Sequence, residues 1–302
     1  MSGIDVEVDV VVVTWNTRDL TVSALEHLAG SAAPNSLRLF VHDNNSSDGT
    51  ADAVAAAWPS AQIEVSPDNL GFAAGVNLAM RRTTAPWILL LNSDAWPETG
   101  SIDRLVECAQ RHPRAAVVAP KLLRPDGGLE YSTWPLPTLR TAVSSALRAG
   151  RYAWPHDAER RVDWAVGAAW LVRRAAWDEI GGLDDSLFMY GEDLDWCWRA
   201  NDAGWEVWFT PTAVVRHVGN ASGSQRFGTQ RPAAWINNSI RVHRKHRPLP
   251  ATIAWQLANA GGAALSAWRA RRREDRELER IWRFQARQWL RRGHDDRRRS
   301  PA

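Results

Sequence analysis

A chain of 302 residues with 45% apolar and 24% charged residues is long enough to bury one large α/β domain or two smaller ones, and its composition excludes a disordered or fibrous class. The net charge of +3 hides an asymmetry: from Arg269 onward 13 arginines face 6 acids, so the basic character belongs to the tail and the rest of the chain is net acidic. No recognised nucleic-acid module accompanies the basic run, and Cys108 and Cys197 lack CxxC or Cys/His spacing, which excludes a disulfide framework or zinc ribbon and points to reduced thiols.

Glu7–Thr14 is a continuous β-branched run, which predicts a strand buried on both faces of a parallel sheet. A helix is predicted over Asp19–Leu28, a second strand over Leu37–His42, and a dense turn-and-cap sequence over Asp43–Thr50. Helix Ala51–Trp58, strand Gln62–Val65, helix Gly71–Arg82 and strand Pro86–Leu91 follow. This alternation predicts an open α/β fold, a Rossmann-like, mostly parallel sheet flanked by helices. The second half is less regular. Ala115–Ala119 and Val162–Val172 are strand-like, Arg124–Gly128 is a tight turn, Ala175–Ile180 a short helix, and Trp205–Phe209 and Val214–His217 two further strands. His217–Gly228, rich in Gly, Ser and Asn, reads as a mobile loop. From Ala233 the chain is expected to be helical, with a break at Pro248 and Pro250. A last helix over Glu274–Arg292 is expected to place Leu278, Ile281, Trp282, Gln285 and Trp289 on one face. The N-terminus carries no charged region followed by an apolar one, so no secretion signal is expected.

Ligands of doubly wound sheets bind beyond the carboxyl ends of the strands, where Thr14–Thr17, Asp43–Asp48 and Asn92–Asp94 fall. There is no GxGxxG after the first strand and no P-loop. Ligand phosphates would then need another partner, most simply a divalent cation. Asp94, closing a buried strand, is placed to hold one; a turn former or helix N-cap is its other reading. Further on, Glu192, Asp193 and Asp195 fall within four positions among Phe188, Tyr190, Trp196 and Trp198. The helix dipole favours one carboxylate at a helix start by a few tenths to ~1 kcal/mol. Three crowded among large rings raise the pKa of at least one, which makes it a general-base candidate. Tryptophan is in surplus, 18 against 3 tyrosines and 6 phenylalanines, as on sugar-binding or membrane-interface surfaces as well as in cores.

Five motifs now stand in order: Thr14-Trp15-Asn16; Asp43-Asn44-Asn45-Ser46-Ser47-Asp48-Gly49-Thr50; Asn69-Leu70-Gly71-Phe72-Ala73-Ala74-Gly75-Val76-Asn77; Leu91-Asn92-Ser93-Asp94; and Gly191-Glu192-Asp193-Leu194-Asp195. This series resembles family 2 glycosyltransferases, and within them the bacterial rhamnosyltransferase-like branch that builds cell-envelope polysaccharides. The resemblance runs over about residues 8 to 247. It implies a GT-A fold with a C-terminal helical extension, a dTDP- or UDP-linked nucleotide-sugar donor, Mg²⁺ or Mn²⁺, and inversion at the anomeric carbon. The implied organisation is a GT-A domain over 1–247, with a nucleotide-sugar half to about 120 and an acceptor half over 121–247, then a helical basic tail over 248–302.

Carried onto this chain, the resemblance implies that Asp43, with Asn45 beside it, binds the pyrimidine and that Thr14, Trp15 and Asn16 line the nucleoside pocket. Asn69, Gly71, Phe72 and Asn77 would shape the donor-sugar pocket. Asn92-Ser93-Asp94 stands where the superfamily has DxD, leaving Asp94 as the main metal carboxylate, Asn92 as at most a weak ligand, and His217 to complete the site. Asp193 would be the general base, with Glu192 orienting it and Asp195 binding the acceptor or a helix-terminal amide. Simpler roles stay open: an Asx-turn for Asp43, helix–sheet packing for Gly71 and Gly75, and a structural role for His217.

The implied reaction is metal-dependent inverting transfer of a sugar to a cell-envelope glycan or polyprenyl-diphosphate-linked acceptor. Rhamnose from dTDP-rhamnose is the first choice, and UDP-galactofuranose or a UDP-hexose the alternative. A catalytically silent GT-A carbohydrate-binding or scaffold module competes with it; Asp94, Asp193 and His217 together argue against that. A nucleotidyltransferase would need a basic loop near the first strand, where only Arg18 stands. Trp164, Trp170, Trp196 and Trp198 serve either as stacking faces or as core, and Arg226 and Arg231 either clamp phosphate or are solvated. Ala251–Trp268 is too short and too polar for a membrane span. With the arginine-rich helix and Trp268, Trp282 and Trp289, residues 251–302 read as a contact with an anionic membrane surface; packing on the domain and a homodimer helix are the alternatives. A cytoplasmic enzyme, peripheral on the inner membrane face, is expected, with no nucleic-acid partner.

Overall fold

The computed structural model describes residues 7–31, 37–147, 154–219 and 225–291. They fall into two compact units, one drawn from 1–133 and 155–226, the other from 134–154 and 227–302.

The first unit is built on β1 (Val8–Thr14), whose seven residues are all buried. β1 pairs in parallel with β2 (Leu37–Asp43) and β4 (Trp87–Asn92), and β3 (Gln62–Val65) extends β2. Helices α1 (Arg18–Ala29), α2 (Thr50–Ala57) and α3 (Phe72–Met80) connect them. In this register Thr14 lies opposite Asp43, and Val13 opposite Asn92. The carboxyl ends that open three of the sequence motifs therefore form one row. Val10, Val12, Leu39, Val41, Leu89 and Leu91 join Leu25 and Leu28 of α1 in the core, each worth roughly 1.5–3 kcal/mol when fully buried. Asp9 is fully buried at the opposite end, held by Arg38 (2.7 and 3.0 Å) and by the Thr84 and Ala85 amides (2.7 and 2.8 Å).

The rest of the unit adds β5 (Ala95–Pro97), α4 (Ser101–Arg111), β6 (Ala115–Leu123), β7 (Leu129–Glu130) and β8 (Thr133–Trp134), with α5 (Leu139–Leu147) following in the second unit. Next come β9 (Arg160–Val162), β10 (Trp164–Ala165), β11 (Ala169–Arg173), α6 (Arg174–Ile180), α7 (Glu192–Asp202) and β12 (Glu206–His217). The main path across the sheet is β3-β2-β1-β4-β11-β6-β12-β5. β11 runs antiparallel to β4 and β6, while β6 and β12 are parallel.

Two expectations are corrected. Val162–Val172 is not one strand but β9, β10 and β11, because Gly167 and Ala168 turn and give their backbone groups to other partners. Trp205–Phe209 and Val214–His217 fuse into β12, with a register shift between Thr210 and Val214 around Pro211, which has no N–H to offer a ladder. The helix-like segment expected around Cys108 is α4, which forms on a buried stripe of Ile102, Leu105, Val106 and Ala109.

The second unit contains α5, α8 (Arg231–His246), α9 (Leu249–Arg272) and α10 (Arg276–Trp289). Its core gathers Ala142, Ile236, Ile240, Trp255, Ala260 and Trp289. Trp255 stacks on His243 at 4.4 Å and meets Trp289 edge-on at 5.0 Å. Pro248 caps α9, so the break falls where the prolines predict it. The last helix is shorter than expected: Asp275 caps it by accepting from Leu278 N–H, and Arg292 lies outside the described residues. Trp289 is buried, whereas Leu278 and Ile281 are exposed, so the expected single apolar face is only partly covered within the unit. Among the described residues, no helix is long and apolar enough to cross a membrane.

Candidate active site

The row of strand ends carries the first part of the site. Asp43 is fully buried; its Oδ2 accepts from the Thr14 hydroxyl at 2.8 Å and its Oδ1 from the Ser46 amide at 2.7 Å. Asn16 adopts φ +50°, its amide donating to Ser46 Oγ at 2.8 Å and its Oδ1 accepting from Ser47 N–H at 2.7 Å. The Gln225 side-chain amide closes on the Asn16 carbonyl at 2.9 Å. Trp15 is half-buried beside them, and Asn45 is exposed at φ +65°.

The Asn69–Asn77 motif binds the loop that precedes the acid cluster. Asn69 Oδ1 accepts from Gly71 N–H, and Phe72 N–H donates to the Phe188 carbonyl at 2.8 Å. Asn77 clasps Leu183 through both backbone groups, at 2.8 and 2.9 Å. Gly71 has φ +89°, and a Cβ there would lie 2.5 Å from the Phe188 carbonyl. Gly75 serves helix–sheet packing: a Cβ would meet Val13 at 2.9 Å.

Ser93 and Asp94 form a buried turn between β4 and β5, and the Ser93 hydroxyl accepts from Thr17 at 3.1 Å. β5 runs antiparallel to the end of β12 with Ala95 opposite His217, which brings that histidine beside Asp94. His217 is buried, with Nδ1 on Glu130 at 3.0 Å and Nε2 3.4 Å from Asp94 Oδ1. Burial alone would lower the ring's pKa; the carboxylates of Asp94 and Glu130 outweigh it and raise it to about 9. Nε2 has no aligned hydrogen-bond partner. A buried imidazole nitrogen turned toward a carboxylate oxygen fits the divalent cation that the resemblance implies, and the nitrogen suits Mn²⁺ better than Mg²⁺. Asn92 is half-buried, its amide bonded to the Ala168 carbonyl at 2.9 Å.

The acid cluster opens α7 after Tyr190 (φ +71°) and Gly191 (φ +91°). Its three carboxylates divide by environment. Asp193 is half-buried and accepts from Leu194 N–H at 2.7 Å and Gly167 N–H at 3.2 Å. Burial raises it to about 6 against the lowering effect of those amides. Glu192 is buried, and its Oε2 has no hydrogen-bond partner among the described residues. Burial, then the Asp193 charge, push it well above the usual range. Asp195 is fully buried on Arg199, at 2.9 Å, so it is placed to brace the helix rather than to meet a solute. Trp170, Trp196 and Trp198 are core, while Trp164 is half-buried. Arg226 stands over the Phe188 ring at 5.0 Å, and Arg231 opens α8 of the second unit. Part of the loop expected over His217–Gly228, residues 220–224, lies outside the described residues.

Two groupings are absent from the sequence reading. Glu130 is one. The other joins Cys108, His112 and Glu159 within 4.8 Å, His112 standing one helical turn after Cys108. There Glu159 takes Arg111 at 2.7 Å and His112 at 2.9 Å, and burial pushes the Cys108 thiol up to about 12, which describes a closed polar network. Neither cysteine forms a disulfide.

The parallel β3-β2-β1-β4 half, joined through antiparallel β11 to β6 and β12, makes the fold one of GT-A type. The profile of the family described as Glycosyltransferase like family 2 matches residues 6–238, and the chain belongs to that family. It is 31% identical over 215 residues to an N-acetylglucosaminyl-diphospho-decaprenol L-rhamnosyltransferase of Mycobacterium tuberculosis, covering 62% of this chain and 68% of that one. A pre-mycofactocin glycosyltransferase of the same species is 29% identical over 212 residues, 66% of this chain and 43% of that one. The fold matches a mannosyltransferase from Pyrobaculum calidifontis, solved in complex with GDP-Man and Mn²⁺, at a TM-score of 0.64 and 19% identity over 94% of this chain and 85% of that one.

Proposed function

We propose that the protein is a metal-dependent inverting transferase that moves rhamnose from dTDP-rhamnose to a polyprenyl-diphosphate-linked glycan. The observation that carries this reading is the link between its two halves: Gly167 N–H binds Asp193, and the adjoining Ala168 carbonyl binds Asn92, two residues before Asp94. The sugar and acceptor follow the name of the mycobacterial relative.

In this reading Thr14, Asn16 and Asp43 seat the nucleoside, Asn69, Gly71 and Asn77 hold the donor-sugar loop, and Asp94 and His217 hold Mg²⁺ or Mn²⁺. When bound, the cation offsets the negative charge that develops on the departing nucleoside diphosphate. Asp193 takes the acceptor hydroxyl proton as the oxygen attacks, from the face opposite the leaving group. Glu192, kept neutral by burial, leaves Asp193 as the carboxylate that ionises first. Residues 251–302 serve as the contact with an anionic membrane surface, where such an acceptor resides.

The test is a matrix of dTDP-rhamnose, UDP-galactofuranose and UDP-hexoses against a short polyprenyl-diphosphate-linked glycan, with Mn²⁺, Mg²⁺ or EDTA. Transfer only from dTDP-rhamnose and only with metal is expected. Transfer from another donor reassigns the sugar, and undiminished turnover in EDTA rejects the metal.

A further inference from the structure

We propose that Glu130 is a positioning residue for the cation site: it fixes the His217 ring so that Nε2, rather than Nδ1, is the ligand. This rests on the reading of Asp94 and His217 as the pair that holds the metal.

The placement follows from strand register. β7 pairs with β6 so that Glu130 lies opposite Leu122, and β6 pairs with β12 so that Leu122 lies opposite Val215. Residues in such a row point to one face of a sheet, and His217, two positions beyond Val215, shares it. The hairpin turn fixes this register: Gly127 takes φ +82°, Arg124 N–H donates to the Gly128 carbonyl at 2.8 Å, and Asp126 Oδ1 accepts from Gly128 N–H at 2.8 Å. Glu130 consequently brings both carboxylate oxygens to Nδ1, at 3.0 and 3.2 Å.

A carboxylate can only accept, so Nδ1 must carry the hydrogen. When a cation displaces the Nε2 proton of this ring, the lone pair falls on Nε2, the buried nitrogen 3.4 Å from Asp94 Oδ1, while Nδ1 keeps its hydrogen on Glu130. The same bond stops the ring from flipping and makes Nε2 a stronger donor, as outer carboxylates do for metal-bound histidines.

The test measures Mn²⁺ binding to the full chain, alone and with saturating dTDP, from the EPR signal of the free ion. Wild type is compared with Glu130→Ala, Glu130→Gln and His217→Ala, and the nitrogen modulation from a coordinated imidazole is recorded on bound Mn²⁺. Glu130→Ala is expected to weaken binding about 10–100-fold and to diminish the nitrogen signal. Glu130→Gln recovers part of both, since its amide oxygen still accepts from Nδ1–H. A cooperative melt of Glu130→Ala in EDTA, at a Tm lowered by the lost Glu130–His217 pair yet above the assay temperature, separates this from misfolding. If His217→Ala weakens binding while Glu130→Ala matches wild type in affinity and signal, the inference falls and the metal site stands. Should His217→Ala itself bind Mn²⁺ like wild type, with no nitrogen signal in any variant, both fall.

Discussion

Gly167 donates its backbone N–H to Asp193 Oδ2 at 3.2 Å, and the carbonyl of the next residue accepts from Asn92 at 2.9 Å. One turn thereby ties the strand end that leads to Asp94 to the helix start that carries Asp193. A displacement reaction needs its base and its leaving-group site at a fixed separation, and misplacement by about 1 Å can cost two orders of magnitude. In the proposed reaction, backbone bonds from a turn anchored by β11 would supply that reference more rigidly than side-chain contacts.

Asp193→Asn tests the base. Removing a general base is expected to lower kcat by roughly 10²–10⁴-fold, with donor affinity within about twofold of wild type. Burial raises the carboxyl to about 6, and only its ionised form accepts a proton. Wild-type kcat/KM should therefore climb about tenfold per pH unit below that value and level off above it. A profile without that limb, or an Asn variant with near-normal turnover, would move the base elsewhere.

Glu192→Gln reads the neighbouring carboxyl through stability. The folded chain keeps the Glu192 proton well above the ordinary value of 4.5, whereas the unfolded chain releases it near that value. Over that window the unfolded state binds fewer protons, so wild-type stability falls as pH rises. Gln resembles the protonated acid and does not titrate. The Tm advantage of Glu192→Gln is expected to be near zero around pH 4.5 and to grow by up to a few degrees per pH unit above it. A constant difference would mean that Glu192 is ionised in the fold.

The sequence was most legible where one element carries the signal. The β-branched run of β1, the polar residues that end β2 and β4, and the carboxylates opening α7 are local patterns, and parallel pairing alone aligns Thr14 with Asp43. Contacts made by distant segments were not legible. Glu130 meets His217 across 87 positions through a hairpin whose strand is two residues long, too short for a periodic signal. Gly167 carries no side chain to mark it, and Asn77 reveals its hold on Leu183 only once α3 and the loop are packed. The Pro211 irregularity hid the continuity of β12, because missing N–H groups in sequence look like a strand end.

Gly71→Ala should be costly where Gly49→Ala is mild. Both glycines have positive φ, +89° and +80°, but a Cβ at Gly71 strikes the Phe188 backbone, while at Gly49 nothing lies within 4 Å. The Gly49 variant is expected to lose ~1 kcal/mol from backbone strain, and the Gly71 variant at least ~2–3 kcal/mol, because strain and collision add. Denaturant midpoints at constant slope measure both. Equal losses would show that the 183–188 loop yields to the added methyl group.

Arg199→Met isolates the brace beneath the acid cluster. The Arg199 guanidinium bonds Asp195 Oδ2 at 2.9 Å and the carbonyls of Ile180 and Gly182 at 2.9 and 2.7 Å. Asp195 is fully buried, so removing its counter-charge leaves an anion in a dry site, at a cost of ~3–5 kcal/mol. Asp195→Asn should cost less, since the remaining cation is partly exposed and keeps its two carbonyls. Combining the two substitutions should recover part of the Arg199→Met loss, and that non-additivity is what distinguishes a charge pair from independent packing contacts. Because the brace holds 180–182, next to the Leu183 that Asn77 clasps, the functional effect belongs in the KM for donor more than in kcat. Additive losses, or a kcat effect with KM unchanged, would instead place Asp195 among the groups that meet the substrate.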